Sequence, residues 1–265
     1  MYSKEHELFL KKLKKRKILI NTFQIIIIIS FIIIWQLLAD FNIINTFITS
    51  SPRDIVTTII NLHTTNNLYN HIFITVYETV VSFSLGILIG LIIATILWWN
   101  DFLHKVVEPY LTVLNSLPKV ALGPVIIIWA GASINSIILM ALLISAIISI
   151  INIYQGFIAT DPNKIKLMKS FRATKFQIYT KLILPSSIQN IISTLKINIS
   201  MSLIGVIMGE LLVSKEGLGY LITYGSQVFN LDLVMTGVIV LALVSVVMYY
   251  SIVLLETFLL KKIIK

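Results

Sequence analysis

The 265 residues include no cysteine, which excludes disulfides, thiol nucleophiles and thiolate metal sites. Charge is scarce as well. Charged residues fill 12% of positions and hydrophobic ones 57%, against about 25% and about 45–50% in soluble domains. A chain so poor in charge is read as an integral membrane protein. Strand-like alternation is missing, and several apolar runs of about 20 residues are each long enough to cross a hydrocarbon core of about 30 Å as helices. No G-x-x-x-x-G-K-[ST] loop occurs, so nucleoside triphosphate is not bound by that route. The four histidines, His6, His63, His71 and His104, have neither H-x-x-x-H spacing nor a nearby carboxylate set, so no metal site is expected. No G-x-S-x-G elbow is present, and neither enzymatic activity nor a cofactor is expected. The net charge of +9 does not point to nucleic acid, because the basic residues sit in blocks beside apolar runs instead of on a soluble face.

The first such block is Lys4, Lys11, Lys12, Lys14, Lys15, Arg16 and Lys17, directly before the apolar run Ile18 to Ala39. That run exceeds the roughly 7–15 residues of a signal-peptide core, and no small-residue cleavage site follows. It is read as an uncleaved first span behind a basic cytoplasmic N-terminus, residues 1–17. From Asp40 to about Asn70 the chain is polar, with Arg53 its one positive charge, and belongs outside. Ser51-Pro52 opens a short amphipathic helix there, with Ile55, Ile59, Ile60 and Leu62 on one side, resting at the interface. The second span, Ile72 to Trp99, ends in Trp98 and Trp99, which suit an interfacial aromatic belt. Within it Ser82, Gly86, Gly90 and Ala94 recur every fourth residue, a narrow face along which a second helix can approach closely. Glu78 shares that face and is expected to point into the bundle, away from lipid.

An inner turn with Asp101, His104, Lys105 and Glu108 precedes a third apolar segment, Leu114 to Gly131, interrupted by Pro118, Gly123 and Pro124 and carrying Lys119. Broken backbone at this depth either lines a pathway or is a packing kink. The fourth span is Asn135 to Phe157. A fifth runs from Pro185 to Leu212 and contains Lys196, about 16 Å beyond Pro185 at 1.5 Å per residue. Its ammonium either lies near mid-membrane or snorkels to the inner interface. Gly209 to Ile222, GELLVSKEGLGYLI, reads as a short outer loop or re-entrant element, and the last span, Leu233 to Leu260, ends on Lys261, Lys262 and Lys265.

Between the fourth and fifth spans lies the one long polar interlude, Asp161 to Pro185. Asp161-Pro162 supplies a helix N-cap with proline at the first helical position, and Thr174 to Gln177 fits the S/T-x-x-E/Q capping box. Two short helices, with Ile165, Met168, Phe171, Phe176 and Tyr179 among lysines, make an amphipathic helix-turn-helix suited to docking. The N-terminus, this interlude and the C-terminus hold seven, six and three Lys or Arg, while the outer loops hold only Arg53 and Lys215. The positive-inside rule therefore places both termini and the interlude in the cytoplasm, with six spans between.

The interlude and its flanks resemble the permease subunit of ATP-binding-cassette importers, of the nitrate, sulfonate and taurine type. In that family the loop between the fourth and fifth spans reads E-A-A, three residues, G-A, then L-P; Ala173 and Leu184-Pro185 fall in register here. LPKVALGPVIIIWAG is similar to the family's P-x-L-A-L-x-P-L segment ending in W-F-G, Lys196 matches a basic residue eleven after the proline, and Gly209-Glu210 with Gly217-Leu218-Gly219 is similar to A-E and G-L-G. Lys166, Leu167 and Met168 depart from E-A-A, and Arg172 stands at the glycine position, where a bulky residue at positive φ would be strained unless the turn shifts toward Ala173-Thr174. The resemblance implies an all-α, type I importer permease of six transmembrane helices: a single transmembrane domain, 18–265, with a cytoplasmic coupling loop, 161–185. Its implied partners are two ATPase subunits, an external substrate-binding protein, a second copy of the chain and the lipid bilayer of a prokaryotic plasma membrane. Met168, Phe171, Arg172, Ala173, Thr174, Leu184 and Pro185 are the expected ATPase contacts. Pro118, Lys119, Pro124, Lys196 and Glu210 are expected along the pathway of a small, anionic nutrient. The alternative is a secondary transporter or channel with no ATPase.

Overall fold

A computed structural model describes residues 4–65 and 67–263. Every regular element among them is helical. The first helix, α1 (Lys4–Asp40), carries the basic segment and the apolar run as one rod, so the expected boundary at residue 17 is a change of composition and not of structure. Residues 1–3 and Lys265 lie outside the described residues. Only Ala39, at its outer end, is buried along the described face of α1.

A single turn, α2 (Thr46–Thr49), leads to α3 (Pro52–Thr64), whose N-cap Ser51 Oγ accepts from the Asp54 N–H at 3.2 Å. Ile55 is buried, and Ile59 and Leu62 pack against a cluster of Leu68, Leu218, Leu221, Leu233 and Val240. The helix expected to rest at the interface is therefore clamped onto the bundle.

The core is built from α4 (Asn67–Trp99), α7 (Ile134–Ile158) and α11 (Ile188–Val213). Apolar burial between helices is weak inside a membrane, so close approach through small residues does the packing. Ser82, Gly86, Gly90 and Ala94 are all buried on one face of α4, and Gly86 and Gly90 look onto Ser145 and Ser149 of α7. On α11, a Cβ at Gly205 would stand 2.5 Å from the Ala141 Cα. Hydroxyls and one amide stitch the same seam: Asn198 donates to Ser149 Oγ and to the Ser145 carbonyl, and Ser202 donates to Asn198 Oδ1 at 3.0 Å.

Between α4 and α7 the chain forms α5 (Asp101–Ser116), capped by Asn100, where an inner turn was expected. A short 3₁₀ stretch, Lys119–Leu122, and α6 (Gly123–Ala130) follow, bent by 91° from α5 at Leu117-Pro118. The break follows from Pro118, which biases Leu117 to extended backbone. The loop between α7 and α11 holds α8 (Pro162–Ser170), α9 (Lys175–Ile178) and α10 (Leu184–Ser186); α12 (Leu218–Gln227) lies at the opposite end of the bundle, and α13 (Leu231–Ile263) closes the chain. Five helices are long and apolar enough to span a membrane, and the bent pair makes up to six.

Candidate functional site

The loop between α7 and α11 is specified almost residue by residue. Asp161 Oδ1 accepts from the Asn163 N–H at 2.8 Å and starts α8. At its end the Arg172 N–H reaches the Lys169 carbonyl at 2.9 Å and the Ala173 N–H the Met168 carbonyl at 3.0 Å. This paired 5→2 and 6→1 pattern is the Schellman motif, whose pivot adopts the left-handed region and is most often glycine. Here the pivot is Arg172, at φ 56°. The turn has not moved to Ala173-Thr174. The strain expected of a bulky residue is accepted in place. Next, the Thr174 N–H donates to Gln177 Oε1 at 2.8 Å and the Gln177 N–H to Thr174 Oγ1 at 3.3 Å, a complete capping box that starts α9. A π-helical turn, Tyr179–Ile183, carries the chain into α10. Pro185 has no N–H for the Lys181 carbonyl, and the ladder widens so that the Leu184 N–H bonds to Tyr179 O.

The loop is fixed to the bundle at its base. Ile178 and Ile183 join Ala94, Ile153 and Phe157 in one buried cluster, with Ile165, Met168, Ala173 and Leu184 packed on it. Lys175 Nζ donates to the Trp99 carbonyl at 2.5 Å and stands 5.7 Å from the ring centroids of Trp98 and Trp99, and Tyr179 OH meets Thr95 Oγ1 at 2.7 Å. The tryptophan pair read as an interfacial belt is thus also the seat of the loop. What remains uncovered is the tip: Leu167, Phe171 and Phe176 are 56%, 73% and 64% exposed, with Arg172 and Thr174 exposed beside them. The residues expected as contacts divide accordingly. Phe171, Arg172 and Thr174 face outward; Met168 and Ala173 face the bundle. Leu167 and Phe176 complete the apolar tip. Their signal was the amphipathic pattern itself, which leaves one apolar set for the bundle and another for a partner.

The residues expected along a pathway are not gathered in one place. Pro118 caps the 3₁₀ stretch and Pro124 lies in the first turn of α6. Lys119 Nζ donates to the Asn115 carbonyl at 2.9 Å, closing the preceding helix. Lys196 is paired: both oxygens of Glu256 on α13 lie 3.1 Å from its Nζ. Glu256 was not anticipated, although a lone acid in one span and a lone base in another is a legible hint. Glu210 is 1% exposed. Its Oε1 accepts from Thr75 Oγ1 at 2.6 Å and its Oε2 from the Gly219 N–H at 2.5 Å, while Thr75 Oγ1 accepts from the Leu218 N–H at 2.8 Å. Its carboxyl therefore holds the start of α12. A side chain on Gly219 would meet Glu210, its Cβ standing 2.7 Å from that of Glu210, and Gly217 sits at φ 102°. The G-L-G pattern is explained by one strained turn and one close approach.

A cavity of about 620 Å³ opens where α7 ends and α11 begins, lined by Gln155, Gln189, Asn190 and Ser193, with Asp161 and Lys164 at its rim. Exposed amides at the ends of membrane helices belong on a water-filled surface, because lipid cannot satisfy them.

Residues 86–265 match the family described as the binding-protein-dependent transport system inner membrane component. The chain is 28% identical to the formylaminopyrimidine transport permease protein ThiX of Halalkalibacterium halodurans, over 86% of this chain and 90% of that one. It is 27% identical to a putative aliphatic sulfonates transport permease protein of Bacillus subtilis, over 81% and 78%. Among solved structures, an inward-facing conformation of the MetNI methionine ABC transporter superposes with a TM-score of 0.64 at 19% identity, covering 76% of this chain and 97% of that one. From the match over residues 86–265, and from a fold shared with importer permeases, the chain belongs to the binding-protein-dependent transport system inner membrane components.

Proposed function

We propose that two copies of this chain form the pathway of a type I importer in a prokaryotic plasma membrane. Two ATPase subunits dock on the cytoplasmic loops, and an external binding protein delivers solute to the outer face. The observation that carries the cytoplasmic half is the loop: rigid by its caps, seated on Trp98 and Trp99, and tipped with uncovered Leu167, Phe171 and Phe176. An apolar tip in a cationic surround is suited to a partner's groove, and a rigid base transmits a partner's displacement into the bundle. Phe171→Asp with Phe176→Asp is expected to abolish co-purification of the ATPase and ATP-driven uptake while leaving the melting temperature unchanged, since neither ring packs inside. Retained assembly and uptake in that double variant would sink the docking assignment.

The relatives' names include formylaminopyrimidine and aliphatic sulfonates, so the cargo class is a small nutrient or cofactor precursor. Lys196 is neutralised by Glu256, which leaves Lys119 as the residue among the expected pathway set with charge to offer an anion. The cavity near Gln155, Gln189, Asn190 and Ser193 is the inner mouth of the route. Uptake of labelled sulfonate and aminopyrimidine by the assembled transporter, with its binding protein, in proteoliposomes distinguishes the two cargo chemistries.

A further inference from the structure

Glu78 is wholly buried on α4, and neither of its carboxyl oxygens accepts from an N–H or hydroxyl donor among the described residues. The charged group that faces it is another acid, Glu210 on α11. Thr75, one turn toward the outer end of α4, hydrogen bonds to Glu210 and not to Glu78. Among the described residues no cation reaches either carboxyl; Lys215, beside Glu216, lines an outer cavity with Ile74 and Ile137. From α7, Ile137 packs beside Gly209 in this layer. From α12, Leu218 and Gly219 present backbone N–H groups to Thr75 and Glu210. Toward the outside, His71 on α4 accepts from the Gly217 N–H through Nδ1 at 2.9 Å, an acceptor role that only a neutral ring can fill; its ring lies 5.8 Å from that of Tyr220. Glu216 takes the Asn70 amide at 3.3 Å and adds a third acid.

Two carboxylates buried side by side in the interior of a membrane bundle repel each other, and each also loses its hydration. A buried acid is normally matched by a base or by several donors. Glu210 has donors, through Thr75 and Gly219, whereas Glu78 has only the Glu210 carboxyl itself within hydrogen-bond reach. The arrangement is therefore short of one positive charge. We propose that Glu78 and Glu210 form a binding site for a single positive charge, a proton or a small monovalent cation, directly beneath the outer turn Gly217–Gly219. Because Glu210 also holds that turn, occupancy of the site sets how firmly the start of α12 is tied to α4 and α11. The site stands on the packing of this chain alone and does not depend on which solute is transported.

The test uses the purified full-length chain in lipid nanodiscs. Infrared spectra at neutral pH read the C=O stretch of protonated carboxyls, and thermal unfolding is compared in sodium, lithium, potassium and choline chloride at one ionic strength. If the charge is a proton, the wild type shows a protonated-carboxyl band that Glu78→Gln loses, with no preference among the salts. If it is a metal cation, the band is absent and one alkali salt raises the melting temperature over choline in the wild type but not in Glu78→Gln. Glu78→Lys, which delivers its own ammonium to Glu210, is expected to fold, to lack the band and to ignore the salts. A wild type with neither band nor salt preference overturns the proposal whatever the variants do. So does a Glu78→Gln protein that keeps the wild-type response in both measurements.

Discussion

Arg172 stands at φ 56°, a region that costs an ordinary L-residue about 1–2 kcal/mol. The two hydrogen bonds of the Schellman turn and the packing of Met168 and Ala173 beneath it hold the pivot there. Arg172→Gly removes the clash but adds freedom to the unfolded chain, so a net gain of about 1 kcal/mol is expected. It would be read as slower proteolysis at the loop. Arg172→Val, whose branched side chain fits this region worst, should hasten cleavage. At the outer end the sign is reversed. Gly217 sits at φ 102°, and Gly219 has Glu210 where its Cβ would go. Gly219→Ala must push Glu210 away from the start of α12, and a loss of about 1–3 kcal/mol is expected from overpacking, measurable as a lowered melting temperature. The glycine pattern was visible in the sequence. What it serves was not, because Thr75 lies more than a hundred residues from the carboxyl it bonds, and nothing in its neighbourhood marks it.

At the level of elements, α11 and α13 are tied by Lys196 and Glu256, with side chains 27% and 18% exposed. Removing one partner strands the other, at a cost of about 3–5 kcal/mol for a fully buried pair and about 2 kcal/mol here, because water screens part of it. Lys196→Met and Glu256→Met are each expected to lower the melting temperature, and the double variant to recover most of the loss. Additive losses across the four proteins would show that the pair carries no coupling. Elements were legible wherever local chemistry decides them. Asp161-Pro162, the Thr174 to Gln177 box and the four-residue recurrence from Ser82 to Ala94 each act within a turn or two of chain, and helix ends and faces lie where those signals put them. Long-range seating was not legible. No periodicity in Trp98 and Trp99 announces Lys175, and the apolar side of α3 is the same whether it meets lipid headgroups or the leucines of α12 and α13.

For the molecule as a whole, the spans follow from the apolar runs, and their expected orientation follows from Lys/Arg blocks of seven, six and three. The standing of α1 does not. It is apolar enough to span and yet leaves nearly all its described side chains uncovered, touching the rest of the chain near Ala39 and through Gln36 Oε1, which accepts from the Arg53 N–H at 3.0 Å. Such a helix contributes little to the fold of a single copy, because lipid solvates its leucines and isoleucines as well as protein does. The family match begins at residue 86, and the core of α4, α7 and α11 is closed without it. Introducing a protease site at residues 41–44 and cutting after membrane insertion keeps the topology that α1 establishes while releasing its tether. The cut chain is expected to retain its melting temperature in detergent, with α1 separating on gel filtration. If cutting instead lowers the melting temperature by several degrees, the Gln36 to Arg53 contact and the burial of Ala39 hold α3 against the bundle, and α1 is part of the core after all.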